Sequence, residues 1–381
     1  MKRVIVCFAV VLLAFVILPM TSFAEGESKT VELGEEEWTL FEESIPDELL
    51  DMLPEGSLDS SEGFAKNVAE MTTGQYIMGV VFDVLGSQLK DVVKLFLIIC
   101  ALLLLSAVFN ATGEGFENSS LSSAMRFCSV GAVISVTVYT QFSHFGILEE
   151  FFDKLGVMMS GMIPVMASIW AMGGNVSTAS AGSASLYVIL SVSRQLLAAT
   201  VVPVCCVLIV LGFCDALSDE VRTGRIMSAV KKIYNFVLGM VMTILLSALA
   251  AQTTLSASAD TTAARAAKMV SGTVIPVVGG SVGETFRTLA AGVSYLKSVF
   301  GIGGIIMIMI LFIPVFMSIL LSRFVFVLGA GIADMLGCQG EAKLLENMSE
   351  AYGIMVAVVA GVTVMFVLSL WIFVQTVVAV A

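Results

Sequence analysis

The chain has 381 residues, of which 58% are hydrophobic and only 13% charged, and its formal net charge is −12. A mean hydropathy of +0.98 excludes a soluble globular domain and fits an all-α polytopic membrane protein with one small appendage. The acidic balance argues against a nucleic-acid partner.

Residues 1–24 read as a signal peptide, with Lys2 and Arg3, an apolar run over 4–20, and Ser22-Phe23-Ala24 as a small-x-small cleavage site. Retention as an uncleaved first span is the alternative. Cleavage would leave Glu25 as the amino terminus on the outer side of the membrane. Residues 25–75 form an acidic extracytoplasmic segment, with fifteen acidic residues against two basic ones between Glu25 and Glu70. Like charge at that density opposes independent folding, so a solvated tether with short amphipathic helices, such as 45–53, is expected. A docking segment for an external partner is the alternative.

Residues 76–381 form the polytopic membrane domain. Continuous apolarity predicts six spans, at 92–111, 124–142, 196–217, 233–251, 300–321 and 353–374. The apolar stretches 155–172, 186–192 and 325–336 are too short, too glycine-rich or too interrupted for full spans and are expected as re-entrant or interfacial helices. With a cleaved signal, the connections 112–123, 218–232 and 322–352 are cytoplasmic and both termini lie outside. Arg222, Arg225, Lys231 and Lys232 in the middle connection follow the cytoplasmic excess of positive charge, while Arg265, Lys268, Arg287 and Lys297 on the outer side weaken it.

Two parts of this domain resemble each other. Ser160-Gly161-Met162-Ile163-Pro164-Val165 matches Ser271-Gly272-Thr273-Val274-Ile275-Pro276-Val277 with one insertion, and a second Pro-Val follows each, at Pro203-Val204 and Pro314-Val315. Gly212-Phe213-Cys214-Asp215-Ala216-Leu217 resembles Gly331-Ile332-Ala333-Asp334-Met335-Leu336, and Tyr234 and Tyr352 follow in turn. These ordered anchors suggest an internal duplication, about 155–251 and 268–375; chance recurrence in an apolar, glycine-rich chain is the alternative. Each copy holds two spans, so the copies would share one orientation about an axis along the membrane normal.

Proline removes a backbone donor and clashes with the preceding turn, so each SG-x-IPV motif should interrupt or end a helix. Interrupted backbone at membrane depth persists only where protein or water satisfies it. Gly161, Pro164, Gly272, Pro276, Gly279 and Gly280 are therefore candidate helix-break or conduit positions, with a plain surface loop as the alternative. Asp215 and Asp334, at span ends, are candidates for passing ions or solutes, against a reading as solvated caps.

Nothing in the chain carries a catalytic signature. It has no HExxH, no phosphate loop with its lysine, no GxSxG and no paired carboxylates on a polar helix face, so neither an enzyme nor a cofactor is expected. The seven cysteines show no metal-ligand spacing and read as small apolar fillers. His144, the single histidine, reads as an interfacial side chain at a span end. The stretches Gly301-Ile302-Gly303-Gly304 and Gly329-Ala330-Gly331 read as helix-packing surfaces.

The signal, the acidic external segment and a polytopic domain with "IPVVGGSVGETF", "LKSVFGIGGIIMIMILFIPVF" and a final apolar helix together resemble the stage III sporulation protein AE family. The resemblance spans essentially the whole mature chain and is strongest over 268–321. It implies a component of the multiprotein channel between mother cell and forespore, in the mother-cell-derived membrane around the forespore. There it would help sustain endospore development, and one role would be to pass small molecules. Its implied partners are the other membrane proteins of that complex and membrane lipid, with self-association left open. The family brings no active-site residues. A scaffold for other subunits and a self-contained secondary transporter are the alternative functions.

Overall fold

The computed structural model describes residues 34–376 apart from 51, 55, 59, 114–118, 218–223 and 275–278, with the backbone alone at 48, 61, 62, 113, 119–123, 126, 252–274 and 279–289. The expected signal peptide lies outside the described residues. Within them the chain is all helix and turn. Three short helices, α1 (Glu35–Glu43), α2 (Asp47–Leu50) and α3 (Ser61–Met71), precede six long ones: α4 (Gly74–Gly113), α5 (Ser119–Met172), α6 (Ser183–Leu217), α7 (Gly224–Val274), α8 (Gly279–Met335) and α9 (Gln339–Gln375). A π turn, Thr178–Gly182, leads into α6. All six long helices contain segments apolar enough to cross a membrane, one for each expected span.

The helices are longer than a membrane is thick. At 54 and 57 residues, α5 and α8 extend over roughly 80 Å, against about 30 Å of hydrocarbon. Charge marks where the membrane belt lies. No charged residue occurs in α4 after Lys94, in α5 between Arg126 and Glu149, in α6 between Arg194 and Asp215, or in α7 between Lys232 and Asp260. Each stretch is about 20 residues or longer, enough to cross. All four lie toward the end of the bundle where α4 meets α5 and α6 meets α7. Their outward side chains are apolar and exposed, among them Leu97, Leu104, Val210, Phe236 and Ile244. Beyond this belt charge returns, and Arg194 pairs with Asp153 at 2.9 Å.

At the centre stands the hairpin of α8 and α9, turned at 336–338 with Gly337 at φ +77°, a backbone conformation that glycine adopts without strain. Helix α9 packs on α8, α6, α5 and α7, while α4 and α5 pack on α8. Small residues permit the close approach. A Cβ built on Gly301 would lie 2.1 Å from Val374, one on Gly303 2.6 Å from Phe64, and one on Gly304 2.2 Å from Met162. The Gly301–Gly304 stretch is thus a packing surface, as its composition suggested.

Three expectations are corrected. The segment 322–352 is no connecting loop: α8 runs on to Met335, α9 starts at Gln339, and Tyr352 is fully buried. The stretches 155–172, 186–192 and 325–336 are not separate re-entrant pieces but continue α5, α6 and α8. Protein covers most of 155–172 and one side of 186–192 and of 325–336, and none of the three is broken from its helix. Nor are the helices of the acidic segment a solvated tether. Trp38, Phe41, Ile45 and Leu49 line one side, and Phe41 and Phe64 stack with Phe300 of α8, the ring centroids lying 5.2 to 5.5 Å apart. Glu35, Glu36, Glu42 and Glu43 face water on the other side, where their mutual repulsion is screened.

Candidate functional site

The four outer helices keep charge out of the membrane belt, and the central pair has its own charge-free stretches at 298–322 in α8 and 351–375 in α9. Arg323 on α8 and Glu341, Lys343, Glu346 and Glu350 on the first turns of α9 lie between those charge-free stretches. Ionisable groups at that depth are costly and are tolerated where they face protein or a watery cavity. All but Arg323 fall into two clusters, and a third forms around His144.

The first is a cavity of about 420 Å³ at the loop end, between the ends of α6, α7 and α9, lined by Asp215, Lys231, Lys232, Lys343, Glu346 and Glu350 among others. It is polar and roomy enough for water. Lys231 Nζ pairs with a Glu350 carboxylate oxygen, joining α7 to α9. The mixture of signs leaves the cavity hydrated without a strong field of either sign.

The second cluster is built on Glu341, 1% exposed in the first turn of α9. Its Oε1 accepts from Ser129 Oγ of α5 at 2.9 Å and from Ser106 Oγ of α4, and the two hydroxyls lie 3.2 Å apart. Two donors from two helices and the favourable field of a helix amino terminus hold the carboxylate where water does not reach.

The third centres on His144, which is 7% exposed within α5. Its Nδ1 lies 2.7 Å from the Thr140 carbonyl, which can only accept, so Nδ1 carries a proton. The Tyr352 hydroxyl oxygen shares that N–H at 3.1 Å. On the far side of the ring, Nε2 is then bare in the neutral imidazole and faces Ser318 Oγ and Ser322 Oγ, both at 3.2 Å. The two serines are four residues apart on α8 and so share one face. One turn before Ser318, the Pro314 carbonyl accepts from Gln88 Nε2 of α4 at 2.8 Å. Tyr352, His144, Ser318 and Ser322 thus form one polar cluster in the bundle interior, with the Gln88–Pro314 bond one turn further along α8. Above it the core is largely apolar, with Met162 against Gly304 and Trp170 against Phe373, apart from the buried Lys297, whose Nζ donates to the Thr376 carbonyl.

The residues singled out in the sequence are scattered differently. Gly161 touches the amino-terminal helices: a Cβ there would lie 2.2 Å from Ser44 and 2.7 Å from the Leu40 carbonyl. Helix α5 runs unbroken through Pro164, so this motif neither interrupts nor ends a helix; Val165 and Met166 beside it are fully buried. Gly272 lies in the last turn of α7, Gly279 and Gly280 open α8, and Pro276 falls outside the described residues. Asp215 lines the charged cavity, whereas Asp334 is exposed at the end of α8. His144 is interior rather than interfacial. The signal that could have found this cluster is the four-residue spacing of Ser318 and Ser322 just before Arg323, in a helix otherwise apolar.

Comparison with known proteins gives one consistent answer. Residues 60–377 match the family described as Stage III sporulation protein AE. The chain is similar to the Stage III sporulation protein AE of Bacillus subtilis (strain 168), at 23% identity over 273 residues, covering 70% of this chain and 68% of that protein. No solved structure matches it.

Proposed function

This chain belongs to the stage III sporulation protein AE family, and from that premise we propose that it is a non-enzymatic component of the mother cell–forespore channel complex, in which it forms the membrane conduit for small molecules. The observation that carries the conduit reading is the set of ionisable and polar side chains in the interior, the buried Glu341, the Lys231–Glu350 pair and the His144 cluster, inside a belt whose outer helices are free of charge. A scaffold has no need of costly groups there. The charged cavity is the entrance on the loop side, and the apolar contacts of Gly304 and Met162 are the closed part that must separate for passage. By family resemblance its place is the membrane around the forespore, with α1–α3 in the space between the two membranes. In this reading the spans of the duplicated unit, about 155–251 and 268–375, lie in the hairpins α6–α7 and α8–α9, each with a proline inside its first helix and a tyrosine within its second.

The scaffold reading has one observation of its own. On α4, Met78, Phe82 and Leu89 are exposed beyond the belt, on the side of the charged residues, and such apolar surface suits another protein better than water. Solute flux into liposomes holding the purified chain, with and without other subunits of the complex, separates the readings. A conduit gives flux that falls on Met162→Trp substitution; no flux in either preparation, with subunit binding intact, leaves the scaffold.

A further inference from the structure

Arg323 has no part in the clusters above. Its guanidinium is half-buried, and among the described residues it forms no hydrogen bond or ion pair. A Cβ built on Gly353 of α9 would lie 3.2, 3.3 and 3.4 Å from its Cζ, Nη2 and Nη1. Three nearly equal distances mean that the flat face of the guanidinium lies over the glycine, so its N–H donors point along the plane, away from the α9 backbone. That is the arrangement that leaves the donor fork open to a carboxylate or phosphate. The nearest carboxylate along α9, Glu350, is engaged by Lys231. Arg323 stands twelve residues inside α8 from Met335, roughly 18 Å along the axis, deeper than a lipid phosphate at the membrane surface.

We propose that Arg323, held flat by Gly353, is an oxyanion-binding site within the membrane domain, and that its ligand carries a carboxylate or phosphate group. The cost of holding an unpaired guanidinium at this depth is offset when that group arrives. Because binding is measured at equilibrium and without flux, the proposal stands or falls apart from the conduit reading.

The test uses the full chain in nanodiscs. In phosphatidylcholine discs, labelled inorganic phosphate and L-glutamate are each titrated, with choline as the cationic control. Saturable binding of either anion, weakened about tenfold or more in R323Q, as loss of charge-assisted hydrogen bonds requires, and weakened also in G353V, supports a soluble ligand. R323K keeps the charge without the fork and should fall between the two. In a second arm, discs containing phosphatidylglycerol are examined by native mass spectrometry. Retention of one such lipid per chain, lost in R323Q, assigns the oxyanion to a headgroup. If R323K elutes as a folded protein, and neither the soluble anions nor the lipid depend on position 323, the proposal is overturned.

Discussion

Phe41→Ala tests whether the acidic segment is part of the fold. Phe41 is fully buried at the centre of a ring cluster, with centroids 5.5 Å from Trp38, 5.2 Å from Phe64 and 5.4 Å from Phe300. Truncating a buried phenylalanine costs about 3–5 kcal/mol, including the lost ring contacts. That loss falls on a local equilibrium. Helices α1–α3 have 9, 4 and 11 residues, too short to persist alone, so undocking and unfolding are one event. The opening equilibrium should therefore rise by roughly two to four orders of magnitude. Amide hydrogen exchange of the detergent-solubilised protein reads this directly, because protection of locally opening amides reports the opening free energy. Protection should collapse across α1–α3 and stay unchanged in the lower half of α9. Unchanged protection in α1 would mean that the segment is the tether its charge suggested, and would sink the reasoning.

The other predictions concern the bundle. Gly304→Leu places a side chain where Met162 already stands and should cost about 1–3 kcal/mol or more by overpacking, seen as a lower melting temperature; an unchanged transition would mean that α5 and α8 do not meet there. His144→Ala leaves the buried Tyr352 hydroxyl without its partner, at about 1–3 kcal/mol. Adding Tyr352→Phe should then cost less than it does in the wild type, and strict additivity in the double-mutant cycle would count against the hydrogen bond. Glu341→Ala should destabilise more than Ser129→Ala, because it removes both charge-assisted hydrogen bonds whereas Ser129→Ala removes one, and denaturant titration of the two variants would show equal, small effects if the carboxylate were solvated.

Hydropathy is a local property of the chain, and what it fixes was legible without a structure: the membrane class, the all-helical fold and six spans; the family was legible from the resemblance of its layout and of the stretch 268–321. The sequence also suggested Gly301–Gly304 as a packing surface, since small residues let helices approach closely, and the structure brings Val374, Phe64 and Met162 onto it. What a linear reading cannot supply is the identity of the material that covers an apolar face. Lipid and protein suit Leu155 or Val325 equally well, so only tertiary packing decided that α5 and α8 continue far beyond one membrane thickness. The same ambiguity hid the clusters. The charges of 339–352 read as a loop because charge near a span end is ordinarily solvated, yet Glu341 meets Ser106 across 235 residues of chain and His144 meets Tyr352 across 208. Contacts at such separation leave no local pattern. The acidic segment shows the converse: its charge suggested a solvated tether, and only the tertiary structure places Phe41 and Phe64 on the Phe300 ring of α8, more than two hundred residues away.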